Sequence, residues 1–223
     1  MLGEYSRAAG ALIALADELA PGSTAAVAEL SRPQLPAGAL TAMSVADVVG
    51  ALMPENVIVV DESNTSGVPL TAATANAPAH DWLTLTGGAI GYGIPAAIGA
   101  AVAAPDRPVL CLESDGSAMY TISGLWTQAR EGLDVTTVIY NNGAYDILRL
   151  ELQRVGVGSA PGPKALCLLD LSPPSLDFVK IAEGLGVPAR RATTAEEFAD
   201  ALRAAFSEPG PHLIDAIVPS IFG

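Results

Sequence analysis

The chain has 223 residues, half of them hydrophobic and 16% charged, with 24 acidic against 11 basic side chains and a formal charge of −13. That length suggests one large domain, or one with part of a second, and the apolar content is enough for a substantial core and against wholesale disorder. The acidic balance repels phosphate backbones and anionic lipid on average, which argues against nucleic acid or a membrane as partner.

Residues 1–40 read as the linker or remnant of a preceding, middle domain, and residues 41–223 as the domain proper. "AAGALIALADELAPG" (8–22) has helical spacing, and the Pro-containing "STAAVAELSRPQLPAG" follows it. "SVADVVGALMP" predicts a helix with Ser44 as N-cap. "NVIVVDES" and "WLTLTGG" predict strands, and the stretch from Ala89 to Pro105 a buried helix, too short and too rich in Gly and Pro to span a bilayer. "PVLCLESDGS" is strand then turn, and "YTISGLWTQAREG" a single helix stopped at Gly132. "DVTTVIYNNG" is again strand then turn, and residues 152–175 carry Gly, Pro and Ser without periodicity, the mark of a mobile cover. Helix, short strand, helix and strand complete the chain, with Thr194 and Glu197 forming a capping box. The N-terminus has no basic region followed by an apolar block, and Cys111 and Cys167 match neither a disulfide framework nor a zinc site, so a reducing, cytoplasmic compartment is expected.

Continuously apolar strands alternating with amphipathic helices predict an α/β fold, a parallel sheet of about six strands with helices on both faces. Ligands of such sheets sit beyond the C-terminal ends of the strands. Two of those ends belong together: Asp115 opens Asp-Gly-Ser, and Asn142, 27 positions later, is the second residue of Asn-Asn-Gly. A carboxylate, an amide oxygen and a nearby backbone carbonyl form a hard-oxygen set suited to Mg²⁺, which completes its octahedron with water and phosphate. Ser117 and the N–H groups freed by glycine would hold the phosphate. Taken singly, each turn is also explained by Asp-Gly and Asn-Gly being good turn formers.

"SDGS" through "NN", together with "GSAMYTISGLWTQARE" and "NNGAYDILR", closely resembles the thiamine-diphosphate motif of the acetolactate synthase and benzoylformate decarboxylase group, over its C-terminal, diphosphate-binding domain. The resemblance implies the thiamine-diphosphate-binding fold, thiamine diphosphate with Mg²⁺, and decarboxylation or carboligation of 2-oxo acids. It assigns the metal to the side chains of Asp115 and Asn142 and the carbonyl of Ala144. It assigns the cofactor to Asn64, Thr65, Gly88, Ile90, Gly116 and Ser117, with Ile90 as the wedge beneath the thiazolium ring. On pattern alone Ile90 reads as core, and Asn64 and Thr65 as loop caps.

Two departures stand out. Ser114 replaces the first glycine of the motif, adding bulk beside the diphosphate, and "GAYDILRLELQ" lacks the Leu-Gly-Met-Val and Gln-Trp of true branched-chain synthases. In this family the catalytic glutamate comes from a pyrimidine-binding domain of a neighbouring subunit, so the chain is expected to need that domain or subunit, to form a homo-oligomer and to be silent alone. Any flavin site would lie in a middle domain. Glu62, Glu113, Asp146 and Glu151 read as solvated or loop acids, and His80 and His212 as uninvolved. The competing readings are a nucleotide-binding module, weakened by the absence of a Gly-x-x-x-x-Gly-Lys-Ser/Thr run, and a scaffold subunit that has lost the cofactor.

Overall fold

A computed structural model describes residues 5–24, 28–156 and 162–222. Helix α1 (Tyr5–Leu19) precedes α2 (Ala42–Leu52), β1 (Ile58–Glu62), a 3-10 turn over Asn64–Gly67, α3 (Leu70–Thr74) and β2 (Asp81–Thr84). A second 3-10 turn, Thr86–Gly88, leads to α4 (Gly93–Ala103), β3 (Val109–Ser114), α5 (Asp115–Thr121), α6 (Gly124–Glu131) and β4 (Val135–Asn141). Then come α7 (Asp146–Arg154), α8 (Pro163–Leu169), α9 (Phe178–Gly184), β5 (Ala189–Ala192), α10 (Ala195–Ser207) and β6 (His212–Ile217). The six strands form one sheet in the order β2-β1-β3-β4-β6-β5, and every pairing is parallel.

Alternate residues of each central strand feed alternate cores. Val59, Leu110, Leu112, Val138 and Tyr140 pack with α2 and α10, while Val60, Cys111 and Ile139 pack with α4 and α9. Burial on both faces is why these strands read as unbroken apolar runs. The chain leaves β1 toward β2 and returns past it to β3, so the connection reverses between β1 and β3. A crevice opens at the carboxyl ends of the strands at such a reversal.

Several local expectations are corrected. Thr41, not Ser44, caps α2: its hydroxyl accepts the Ser44 N–H at 3.1 Å while Ser44 Oγ accepts the Thr41 N–H at 2.8 Å. The segment between β3 and β4 is two helices, broken at Ile122–Ser123. Asp-Gly-Ser is the first turn of α5 rather than a free turn. The Gly-rich helix is buried on one face only, since Val102 is 63% exposed. The stretch 152–175 carries the end of α7 and all of α8, which holds the exposed Cys167; its residues 157–161 lie outside the described residues. The capping box of Thr194 and Glu197 is present as expected. No helix among the described residues is long and apolar enough to cross a membrane.

Helix α2 approaches α3 so closely at Gly50 that a Cβ there would stand 2.2 Å from the Ala73 carbonyl oxygen. Backbone cannot swing aside as a side chain can, so Gly50→Ala should cost about 1–3 kcal/mol or more in urea unfolding. An unchanged midpoint would mean that the two helices slide apart freely.

Candidate active site

Asp115 is 1% exposed at the tip of β3. Its Oδ1 accepts the Gly116 N–H at 2.7 Å, and its Oδ2 accepts the N–H groups of Asn142 at 3.1 Å and Gly143 at 2.7 Å. One carboxylate therefore ties the start of α5 to the turn after β4. Burial pushes its pKa up from 3.8 to about 6 despite those three donors, and the Asp146 charge nearby adds to the rise. A buried carboxylate without a cationic partner is costly unless a cation arrives from outside.

The Asn142 amide donates to Asp146 Oδ2 at 3.1 Å, and its Oδ1 accepts the Ala144 N–H at 3.0 Å. Ala144 also forms a bridge to Asp170, made by Tyr145 N–H to the Leu169 carbonyl and Leu171 N–H to the Gly143 carbonyl. Among the described residues no donor reaches the Ala144 carbonyl itself. Across the crevice, Asn64 Nδ2 donates to Ser117 Oγ at 2.9 Å, to Ser114 Oγ at 3.3 Å and to the Glu62 carbonyl at 3.0 Å. Ser114 is extended, with φ −85° and ψ 150°, so a serine is accommodated where the motif has glycine.

The far wall is the loop into α4. Gly87 and Gly88 have φ of 67° and 68°, a left-handed pair that a β-carbon would strain. The loop is anchored by Glu62, 2% exposed, whose two oxygens accept the N–H groups of Gly91 and Gly93, each at 2.6 Å. Glu113, paired with Glu62 in the strand register, is fully buried, and burial plus the neighbouring Glu62 charge drives its pKa well up.

These walls enclose a cavity of about 260 Å³. Asn64, Thr65, Gly88, Ile90, Asp115, Gly116, Ser117, Asn142 and Ala144 all line it, so the structure brings every predicted site residue together. Ile90 is 46% exposed and faces the cavity rather than the core. Gly116 permits close approach, since a Cβ would lie 2.3 Å from the Tyr145 ring. Among the described residues no Lys, Arg or His lines the cavity. Buried Asp115, the free Ala144 carbonyl and the Asn142 amide fit a hard cation bound with a phosphate-bearing ligand.

Three acids expected at the surface are instead buried: Glu62, Glu113 and Asp146. Glu151 alone is partly exposed, in a pair with Arg154 at 2.6 Å. A position-based signal existed for all three. Glu62 is the last residue of β1, Glu113 the last but one of β3, and Asp146 opens α7 four residues beyond Asn142. The histidines sit far from the cavity, His80 before β2 and His212 at the first residue of β6, both at the amino ends of strands. A neighbouring cavity of about 510 Å³ lies beyond Asn142 and Gly143, lined by Asp177 and Arg191 among others. Its polar groups are already matched: Arg191 bonds Asp215 at 2.9 Å and Asp177 at 2.8 Å.

The family profile "Thiamine pyrophosphate enzyme, C-terminal TPP binding domain" matches residues 66–216, just past Asn64 and Thr65. The chain is 80% identical over its full 223 residues to IlvX of Mycobacterium tuberculosis, named for an acetolactate synthase large subunit, and spans 43% of that protein. It is 34% identical over 213 residues to benzoylformate decarboxylase of Pseudomonas aeruginosa, covering 94% of this chain and 39% of that one. Among solved structures, a thiamine diphosphate-dependent 4-hydroxybenzoylformate decarboxylase of Rhodococcus jostii superposes with a TM-score of 0.80 at 30% identity, over 96% of this chain and 40% of its own. The chain thus spans less than half the length of these relatives. With a six-stranded parallel sheet, a cavity at its switch point and a matched profile over most of its length, the chain belongs to the thiamine-diphosphate-dependent enzymes, as their C-terminal cofactor-binding domain.

Proposed function

We propose that this chain holds the diphosphate end of thiamine diphosphate, with Mg²⁺, for a synthase or decarboxylase acting on 2-oxo acids. The observation that carries this is the pairing of buried Asp115 with Asn142 in a cavity that, among the described residues, contains no positive side chain. Asp115, Asn142 and the Ala144 carbonyl would hold the metal, and Gly116, Ser117, Asn64 and Thr65 the diphosphate. Gly88 and Ile90, on the clamped loop, would support the rings. The bound cofactor supplies the electron sink that lets a 2-oxo acid lose CO₂. This chain's own residues bind and orient, and the N–H groups they present are held in place by Asp115 and Glu62.

Proton transfer to the pyrimidine ring falls to a glutamate of a pyrimidine-binding domain, supplied by another segment or subunit, so turnover requires that partner in a homo-oligomer. The benzoylformate-type lyase is the second reading, favoured by the Rhodococcus jostii superposition. The test is calorimetric titration of the chain with thiamine diphosphate in Mg²⁺ and in EDTA. Binding in Mg²⁺ alone is expected. Equal behaviour in both, or no heat in either, would sink the proposal and favour a scaffold that has lost the cofactor.

A further inference from the structure

Asp146 is a buried acid at the cavity whose contacts reach residues 220–222. Its side chain is 1% exposed. Its Oδ1 accepts the Ser220 hydroxyl at 2.8 Å, and its Oδ2 accepts the Asn142 amide at 3.1 Å and the Ile221 N–H at 2.9 Å. The Phe222 N–H in turn donates to Ser220 Oγ at 3.1 Å, closing residues 220–222 into a turn on the carboxylate. Arg149 Nη1 stands at 3.9 Å, too far for a hydrogen bond. Like Asp115, Asp146 accepts one donor on Oδ1 and two on Oδ2, but one of its donors is the side chain of Asn142. An ionised carboxylate only accepts, so the Asn142 atom facing it is the NH₂, and the amide oxygen is turned away. Partners of this kind fix the orientation of metal ligands.

We infer that Asp146 is a positioning residue for the metal site: it sets which way the Asn142 amide faces and joins that amide to the segment Ser220–Phe222. The inference rests on the reading of the cavity as a Mg²⁺–diphosphate site. Binding of thiamine diphosphate would accordingly be felt at Ile221, although that residue does not line the cavity.

The experiment is a Mg²⁺ titration at fixed thiamine diphosphate, followed by calorimetry, on the parent chain, Asp146→Asn and Ser220→Ala. The Mg²⁺ midpoint should rise about tenfold or more for Asp146→Asn and about threefold for Ser220→Ala, which removes a single bond to the carboxylate. Diphosphate affinity should return in both at saturating Mg²⁺. A merely structural defect would instead depress affinity at every Mg²⁺ concentration, which overturns the inference. Amide exchange at Ile221 should slow on ligand binding in the parent and not in Asp146→Asn. Should Asp146→Asn fail to fold, Ser220→Ala carries the test, and a parental midpoint there overturns the inference. A parent that binds nothing in Mg²⁺ overturns the cavity reading first, and the inference with it.

Discussion

Asp115→Ala should abolish measurable binding of thiamine diphosphate in Mg²⁺ and also flatten the acid limb of the chain's stability profile. The first effect follows from losing the one buried carboxylate that faces both the candidate metal position and the turn at Asn142 and Gly143. Losing a direct ligand exceeds the 10–100-fold penalty typical of its supporting partners, so about 100-fold is a lower bound. The second follows from its pKa, raised from 3.8 to about 6 in the folded chain. Between those values the native state binds more protons than the unfolded one, so stability falls as pH rises through that window. The difference corresponds to about 3 kcal/mol for this buried group. Unfolding in urea at pH 4, 5, 6 and 7 should show that fall in the ligand-free parent and a shallower one in the variant. Parallel profiles would mean that Asp115 titrates normally and that its burial is compensated elsewhere.

Glu62→Gln is expected to cost at least about 2 kcal/mol, because one of two charge-assisted bonds becomes an N–H facing an N–H. The bonds concerned run to Gly91 and Gly93, each at 2.6 Å, and they hold the loop that presents Gly88 and Ile90. Cofactor affinity should fall together with the unfolding midpoint, since the same two bonds set both. Glu113→Gln is the control. Burial and the Glu62 charge beside it drive the pKa of that side chain well up, favouring the neutral acid that an amide resembles, so this substitution is expected to cost less than Glu62→Gln. If the two variants were equally damaging, the loop would owe its position to packing and not to the Glu62 carboxylate.

The fold was legible because the strands are buried on both faces. "VLCLE" and "VTTVIY" read as strands for the same reason that Leu110 and Cys111 enter opposite cores. The site was legible because its residues cluster after strands, where a parallel sheet leaves its crevice. The acids were misread because composition treats every carboxylate as a surface group. Glu62 is stabilised by N–H donors 29 and 31 residues away in the chain, a relation that no local pattern encodes. The break at Ile122–Ser123 escaped for a different reason: neither residue is a strong helix breaker, and Gly124, which opens α6, lies so close to Ile94 that a Cβ there would stand 2.7 Å from its side chain. Thr41 was missed as a cap because Ser44, its partner in the capping box, is an equally good capping residue.

That no Lys, Arg or His among the described residues lines the cavity has a thermodynamic corollary. A diphosphate arriving alone would meet the negative field of Asp115 and Asp146, and a divalent ion arriving alone would find too few ligands to shed its water. Each would therefore raise the affinity for the other. Because such coupling is a property of the complete cycle, the factor by which Mg²⁺ tightens the organic ligand must equal the factor by which that ligand tightens Mg²⁺. Cellular magnesium would then set the occupancy of this domain as directly as the supply of the vitamin does.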